Sequence, residues 1–318
     1  MTLNIRSVEN ETELEKVFDL LHEVNPDTPR DYFSSIVRGQ PNFERWHTRI
    51  ASEHDKVVAT IQVFDKKMWL NRKEVRFGGL GHLAVSPGYE SKVNPAEITE
   101  DTLDLLQEFG YPLSVVFTND NEFYSNLGFV AMPLLEYSFD QLAAYDTTGV
   151  RPFDGEKDLE CVMEIYNEFN SGRNGPVCRT LADWQAQSQY NADDPKAFWV
   201  FEQDGRVYGY VRGRIREGVL EILEFGASKS YAAYFRRILT AMFDELDFHT
   251  AKITLRRDEP FFNASYISAH YTQDTRMMWS VLNEEKLADI LGSEPDGVNN
   301  FMKQLRDFQT TFWRTDVF

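Results

Sequence analysis

Cysteine is scarce in this sequence: two residues, Cys161 and Cys178, among 318. The N-terminus, Met1-Thr2-Leu3-Asn4-Ile5-Arg6, lacks an apolar leader. Two thiols in a chain of this length then read as reduced, which sets aside a disulfide-stapled secreted fold. Histidine is also sparse, and its six residues lie scattered with no Cys or Asp at the spacing of a zinc site, so no metal is expected. Long apolar runs are missing too. Nothing approaches the roughly 20 residues that cross a bilayer as a helix. The expectation is a soluble protein of the cytoplasm with no membrane partner.

Basic charge is short as well: 33 Lys and Arg stand against 51 Asp and Glu, a formal charge of −18. Such a field repels nucleic acid and anionic membranes. It favours a cationic partner such as an amine, and it equally serves plain solubility. Apolar and aromatic residues are plentiful, with 42% hydrophobic content and 24 Phe, 14 Tyr and 6 Trp, which excludes long disordered stretches. A chain of 318 residues exceeds what one small core organises, so two domains are expected.

Hydrophobic periodicity orders the first half. A strand over 3–8 precedes a helix over 11–24 with Leu14, Val17, Phe18 and Leu21 on one face. Asp27-Thr28-Pro29 reads as the cap of a second helix ending near Gly39. Strands over 47–53 and 57–65 flank His54-Asp55-Lys56 as a hairpin. A strand over 75–85 contains Gly78-Gly79-Leu80-Gly81, which suggests a bulge or a close backbone approach. Next come a helix over 94–109, a strand over 113–118, a short helix near 123–127 and a strand over 129–139.

The order then repeats from Val150-Arg151-Pro152 onward. Helices are expected over 158–169 and 180–189, and Asp204-Gly205 turns a second hairpin. A strand over 219–225, a helix over 231–246, a strand over 252–255, a helical turn over 262–269 and a strand over 275–282 complete the second unit. Repetition of element order implies tandem copies of one fold. The expected domains are 1–145, 146–282 and a helical appendage, 283–318, too short for a domain of its own.

Chemistry concentrates between Gly78 and Phe129. Asn94 suits an N-cap, Pro95 the first helical position, and Glu97 a capping box. A helix N-terminus after a strand and turn offers free N–H groups, which can hold a pyrophosphate. Two parallel neighbours, 75–85 and 113–118, would splay to admit a ligand. Beyond them Asn121-Glu122-Phe123-Tyr124 places a phenol on a short helix ending at Gly128.

These residues resemble the GNAT N-acetyltransferases. The resemblance is carried by Gly81-His82-Leu83-Ala84-Val85-Ser86-Pro87, by the helix after it and by Phe123-Tyr124-x-x-x-Gly128-Phe129, and covers most of 1–140. The whole chain is similar to the Eis-type branch, in which a second, coenzyme-free GNAT-like domain follows the first. Asn174-Gly175, Arg179, Trp184 and Met277-Met278-Trp279 add to that likeness. It implies an α/β fold of two tandem GNAT-like acyl-CoA N-acyltransferase domains with a shortened C-terminal appendage. It also implies acetyl-CoA as co-substrate and a small-molecule or peptide amine as acceptor. Leu83, Ala84 and Val85 would receive the pantetheine arm, Ser91, Lys92, Val93 and Asn94 the phosphates, and Tyr124 would protonate the departing thiolate. In such enzymes the C-terminal carboxylate, here that of Phe318, accepts the proton of the amine; Glu122, Glu136 and His82 are further residues to weigh for that role.

The phosphate turn departs from the family pattern, R/Q-x-x-G-x-G/A. Glu90, Val93 and Pro95 stand at those positions: a negative charge, a side chain where backbone should approach, and a residue with no N–H. Two like charges about 4 Å apart at an effective dielectric near 20 repel by roughly 4 kcal/mol. A non-catalytic GNAT-like binding or regulatory protein is therefore the alternative reading, and a transferase using another acyl-CoA a third. Acceptor identity and oligomeric state stay open at this point.

Overall fold

The computed structural model describes residues 4–190, 194–228, 233–257, 259–265 and 267–318. The chain opens with β1 (Asn4–Ser7) and α1 (Glu11–Val24). Asn10 caps α1 by accepting from the Glu13 N–H at 3.0 Å, and Leu14, Val17, Phe18 and Leu21 are buried on one face, as their spacing predicts. Helix α2 (Arg30–Arg38) differs at its start: Pro29 is its N-cap, and no side chain caps it. The hairpin β2 (Thr48–Glu53) and β3 (Lys56–Leu70) leads to β4 (Lys73–Val85). Then follow α3 (Pro95–Glu108), β5 (Leu113–Phe117), α4 (Asn121–Asn126), β6 (Val130–Ala131) and β7 (Leu134–Asp140).

The second half starts with β8 (Val150–Pro152), α5 (Gly155–Asn170) and α6 (Leu181–Tyr190). Strands β9 (Phe198–Gln203), β10 (Arg206–Arg216) and β11 (Val219–Ala227) precede α7 (Tyr234–Glu245). Residues 231 and 232, the expected start of that helix, lie outside the described residues. Strand β12 (Thr250–Leu255), α8 (Pro260–Ala264), β13 (His270–Asp274) and β14 (Met277–Val281) come next. Helices α9 (Glu284–Leu291) and α10 (Pro295–Arg306) form the appendage. No helix among the described residues is long and apolar enough to cross a membrane.

Two seven-stranded mixed sheets result, ordered β1-β2-β3-β4-β5-β14-β6 and β13-β7-β12-β11-β10-β9-β8. Their closing strands are exchanged. The expected single strand over 129–139 breaks at Met132-Pro133, and only its first part, β6, stays in the first sheet. Its second part, β7, pairs with β12 and β13 of the second sheet. In return β14, expected to close the second unit, lies between β5 and β6, with Trp279 buried opposite Val115. Alternation in a sequence shows that a segment is a strand; it carries no information on which sheet receives it.

Each sheet contains one parallel pair that stops short. Strands β4 and β5 pair from Phe77↔Leu113 to Leu80↔Val116, and β11 and β12 from Val219↔Thr250 to Ile222↔Ile253. Beyond those points the strands diverge, leaving one fork per sheet.

The last residues run as a strap between the sheets. The Thr311 N–H donates to the Asn174 carbonyl at 2.8 Å, and the Trp313 indole donates to Asn170 Oδ1 at 3.0 Å within the second core. Gly175, at φ +108°, is required there, since a Cβ would lie 2.3 Å from the Thr311 carbonyl oxygen. Next, Asp316 takes a fork of hydrogen bonds from Arg179, both at 2.8 Å, and another from Gln187 at 2.8 Å. Arg179 also donates to Glu224 at 2.6 Å, and Thr315 joins the same carboxylate. The Arg179, Glu224 and Asp316 side chains have no exposed surface. Burial would raise the Glu224 carboxyl, but Arg179 and Arg212 outweigh it and hold the group below its ordinary value. Removing the guanidinium strands two buried carboxylates. Arg179→Met is therefore expected to lower the unfolding free energy by roughly 3–5 kcal/mol in denaturant titration; a loss under about 1 kcal/mol would contradict this role.

Candidate active site

The fork of the first sheet is made by a defect in β4. Thr60 pairs with Ala84 and Gln62 with Gly81, so Ile61 alone faces both His82 and Leu83. This is a β-bulge, and His82 takes φ +52° within it. Past Leu80 the β5 side of β4 has no strand partner, and its main-chain groups border a cavity of about 700 Å³. Gly81, His82 and Leu83 line it from β4, Phe117 from the end of β5 with Thr118 just after it, Phe123 and Tyr124 from α4, and Tyr32 and Phe33 from α2.

Tyr124 is 6% exposed and packs edge-on against Phe123 and Phe129. Its hydroxyl has no hydrogen-bond partner among the described residues and is not sealed from the cavity. Burial, with the charge of Asp120 adding, pushes its pKa up to about 12, so the phenol keeps its proton across the neutral range.

Phe318 enters the same cavity from the strap. Its ring stacks on Phe64 at 5.1 Å, and meets Phe117 at 5.7 Å and Phe77 at 6.2 Å. The floor under the ring is Gly79, where a Cβ would lie 2.4 Å from the ring carbon Cζ. At Gly81 a Cβ would sit 3.4 Å from the Phe318 carbonyl carbon and 3.5 Å from its oxygen, so the main-chain carboxyl borders β4 at the bulge. Two of the strand's glycines thus admit the strap. His82 is wedged edge-on between Phe33 and Phe64; burial lowers its pKa to about 4, leaving the imidazole uncharged, and its Nδ1 has no partner among the described residues. Glu122 and Glu136 are not among the residues lining this cavity.

The residues expected around the arm and those expected at the phosphates fare differently. Leu83 and Val85 lie half-buried along the fork, while Ala84 faces the α1 core. Ser91, Lys92 and Asn94 are exposed, and Val93 is buried beneath α3 with Ile98 and Leu106. The turn has largely used its own donors. The N–H groups of Lys92 and Val93 donate to the Tyr89 carbonyl at 2.8 and 2.9 Å. Those of Ala96 and Glu97 go to the Asn94 side chain and carbonyl, both at 3.1 Å, and Pro95 has none. Tyr89, absent from the sequence reading, organises this region: its hydroxyl donates to Glu53 at 2.8 Å, and the ammonium groups of Lys56 and Lys92 lie 4.6 and 4.8 Å from its ring centre. The residues beside Tyr89 in the sequence give no sign of this, because Lys56 comes from the distant start of β3.

Comparison with known proteins agrees with this fold. Residues 4–132 match the acetyltransferase (GNAT) domain family. No curated protein matches the sequence. Among solved structures, a probable N-acyltransferase from Enterococcus faecalis superposes with a TM-score of 0.75 at 14% identity, over 91% of this chain and 75% of that one. A GCN5-related N-acetyltransferase from Anabaena variabilis gives 0.74 at 15%, over 91% and 75%. Eis1 from Mycobacterium abscessus gives 0.67 at 16%, over 91% and 76%. Two forked mixed sheets in tandem, the first carrying the matched domain, define a protein of the acyltransferase fold class. Residues 4–132 match the GNAT acetyltransferase domain, and the chain shares the fold of these structures over 91% of its length.

The seating of Phe318 on Gly79 can be tested by a pair of substitutions. Gly79→Ala should destabilise by about 1–3 kcal/mol through overpacking. In a Phe318→Ala background the same change should cost much less, giving a coupling term of about 1 kcal/mol or more in a double-mutant cycle. Additive costs would contradict the contact.

Proposed function

We propose that the protein is an N-acetyltransferase that moves an acetyl group from acetyl-CoA to a primary amine by direct attack. The observation that carries this reading is that Tyr124 and Phe318 line one cavity at the fork of β4 and β5. Acetyl-CoA, when bound, supplies a thioester whose oxygen gathers negative charge and whose sulfur departs. The unpaired edge of β4 at Leu83, Ala84 and Val85 would flank the arm. A main-chain N–H on that edge is a fixed dipole, needing no reorganisation as charge develops on the thioester oxygen. The Tyr124 hydroxyl, protonated at neutral pH, donates to the departing sulfur. The carboxylate of Phe318 accepts the proton that the amine nitrogen loses as the N–C bond forms and the C–S bond breaks. The aromatic cage around its ring fixes that carboxylate without a flexible side chain.

The phosphates need a different grip from the one the family pattern offers. With the first-turn donors engaged, Lys56 and Lys92 beside Tyr89 are the cations available there, and Glu90 is exposed to solvent that screens it. The same occupied donors favour the second reading, a GNAT-shaped protein that binds without catalysing.

Calorimetric titration with acetyl-CoA and CoA separates the two. The enzyme reading expects saturable binding, and no binding at millimolar coenzyme would overturn it. Given binding, Tyr124→Phe should lower kcat at saturating acetyl-CoA by about 10²-fold or more, with affinity for the coenzyme retained; an unchanged kcat would remove Tyr124 from the chemistry.

A further inference from the structure

The fork of the second sheet holds a cavity of about 210 Å³ whose lining is cationic, in a chain whose net charge is −18. Arg214 comes from β10, Lys252 from β12, Arg276 from the residue before β14 and Arg314 from the strap. Four cations here meet three carboxylates. Arg214 pairs with Glu221 at 2.6 Å, and Arg276 and Arg314 share Asp274 at 2.8 and 2.7 Å. Glu136 is left between Arg314 at 3.6 Å and Lys252 at 3.9 Å, beyond hydrogen-bond reach of both. The Lys252 ammonium therefore has three donors that no described residue takes up at hydrogen-bond distance. Burial and the neighbouring Arg276 both weigh against the charge on Arg314, and an anion would relieve that cost.

A hydrogen bond and the strap tie the lining of this cavity to that of the first. The Arg276 carbonyl accepts from the Thr118 N–H at 2.9 Å, and Thr118 lines the first cavity. Arg314 is four residues before Phe318 on the strap. Of the residues lining the first cavity, Asp120 and the carboxyl of Phe318 are acidic, so an anionic group of the acceptor meets its cations in the second cavity and not in the first.

We propose that the amine acceptor carries an anionic group, a carboxylate or a phosphate, which docks at Lys252, Arg214, Arg276 and Arg314 while its amine reaches Phe318. This rests on the acetyl-transfer reading for the amine end, though the anion site stands on its own geometry. It runs opposite to the cationic acceptor that the net charge suggested, because substrate choice follows the local field of the cleft.

The test compares matched amines. Glycyl peptides of one to three residues with a free carboxylate are set against their C-terminal amides, and O-phosphoethanolamine against ethanolamine. The anionic member of a pair that spans the two cavities should show a KM about 10-fold or more lower, as charge-assisted hydrogen bonds imply. Combining Lys252→Gln with Arg276→Gln should erase that difference. Binding of inorganic phosphate, followed by calorimetry without turnover, should weaken in the same double variant. Equal KM values within every pair together with no phosphate binding would overturn the proposal. So would a double variant that weakens acetyl-CoA binding, since the cluster would then serve the coenzyme. Phosphate binding that the variant weakens, in a protein that acetylates no amine, would uphold the anion site and overturn the acetyl-transfer reading instead.

Discussion

Everything at the candidate site depends on one buried ion network, Arg179 with Glu224 and Asp316. Ion pairs stripped of water seldom stabilise a fold over an apolar alternative, because desolvation cancels most of the attraction. Their value lies in geometry. Arg179 offers a planar fork to Asp316 and keeps one hydrogen for Glu224, so the strap has one register in which every charge is matched. Two residues further on, that register delivers the Phe318 ring onto Gly79 and its carboxyl beside Gly81. A slip of one residue would bury Asp316 unpaired and withdraw Phe318 from its cage.

The exchange of β7 and β14 explains why such precision can survive. Each half of the chain closes its sheet with a strand from the other, so the sheets cannot drift apart without breaking ladders on both sides. The strap crosses an interface that is already fixed: Arg314 lines the cavity of one fork and Phe318 that of the other, and the Thr118–Arg276 hydrogen bond joins the two linings. In this arrangement the second sheet lines a cationic cavity, and the first lines the cavity that holds Tyr124 and Phe318.

Sequence reasoning recovered what depends on near neighbours. Apolar spacing read α1 and α5, turn residues read both hairpins, and Asn94-Pro95 read the start of α3. The place of Tyr124 on a short helix before Gly128 was legible because that is a local pattern. Effects of distant partners were not legible. Gly79 suggested a bulge or a close approach, but not that what approaches is a ring 239 positions away in the chain, by the difference of residue numbers 318 and 79. Val93 looked like an obstacle to phosphate and is a core residue beneath α3. Arg179 drew notice through family likeness alone, since nothing beside it in the sequence shows the two carboxylates it joins. The destination of β7 and β14 was equally hidden, both segments being plain alternating strands.

The account's central claim is that the strap brings a carboxylate to the bulge of β4 to take the amine proton. Semisynthetic protein in which the Phe318 carboxyl is a carboxamide tests it most directly, since ring, packing and chain length are all kept. The account predicts that kcat falls by about 10²–10⁴-fold, the range of general acid–base catalysis, while thermal stability and acetyl-CoA affinity hold. A carboxamide protein with the turnover of the unmodified one would contradict it.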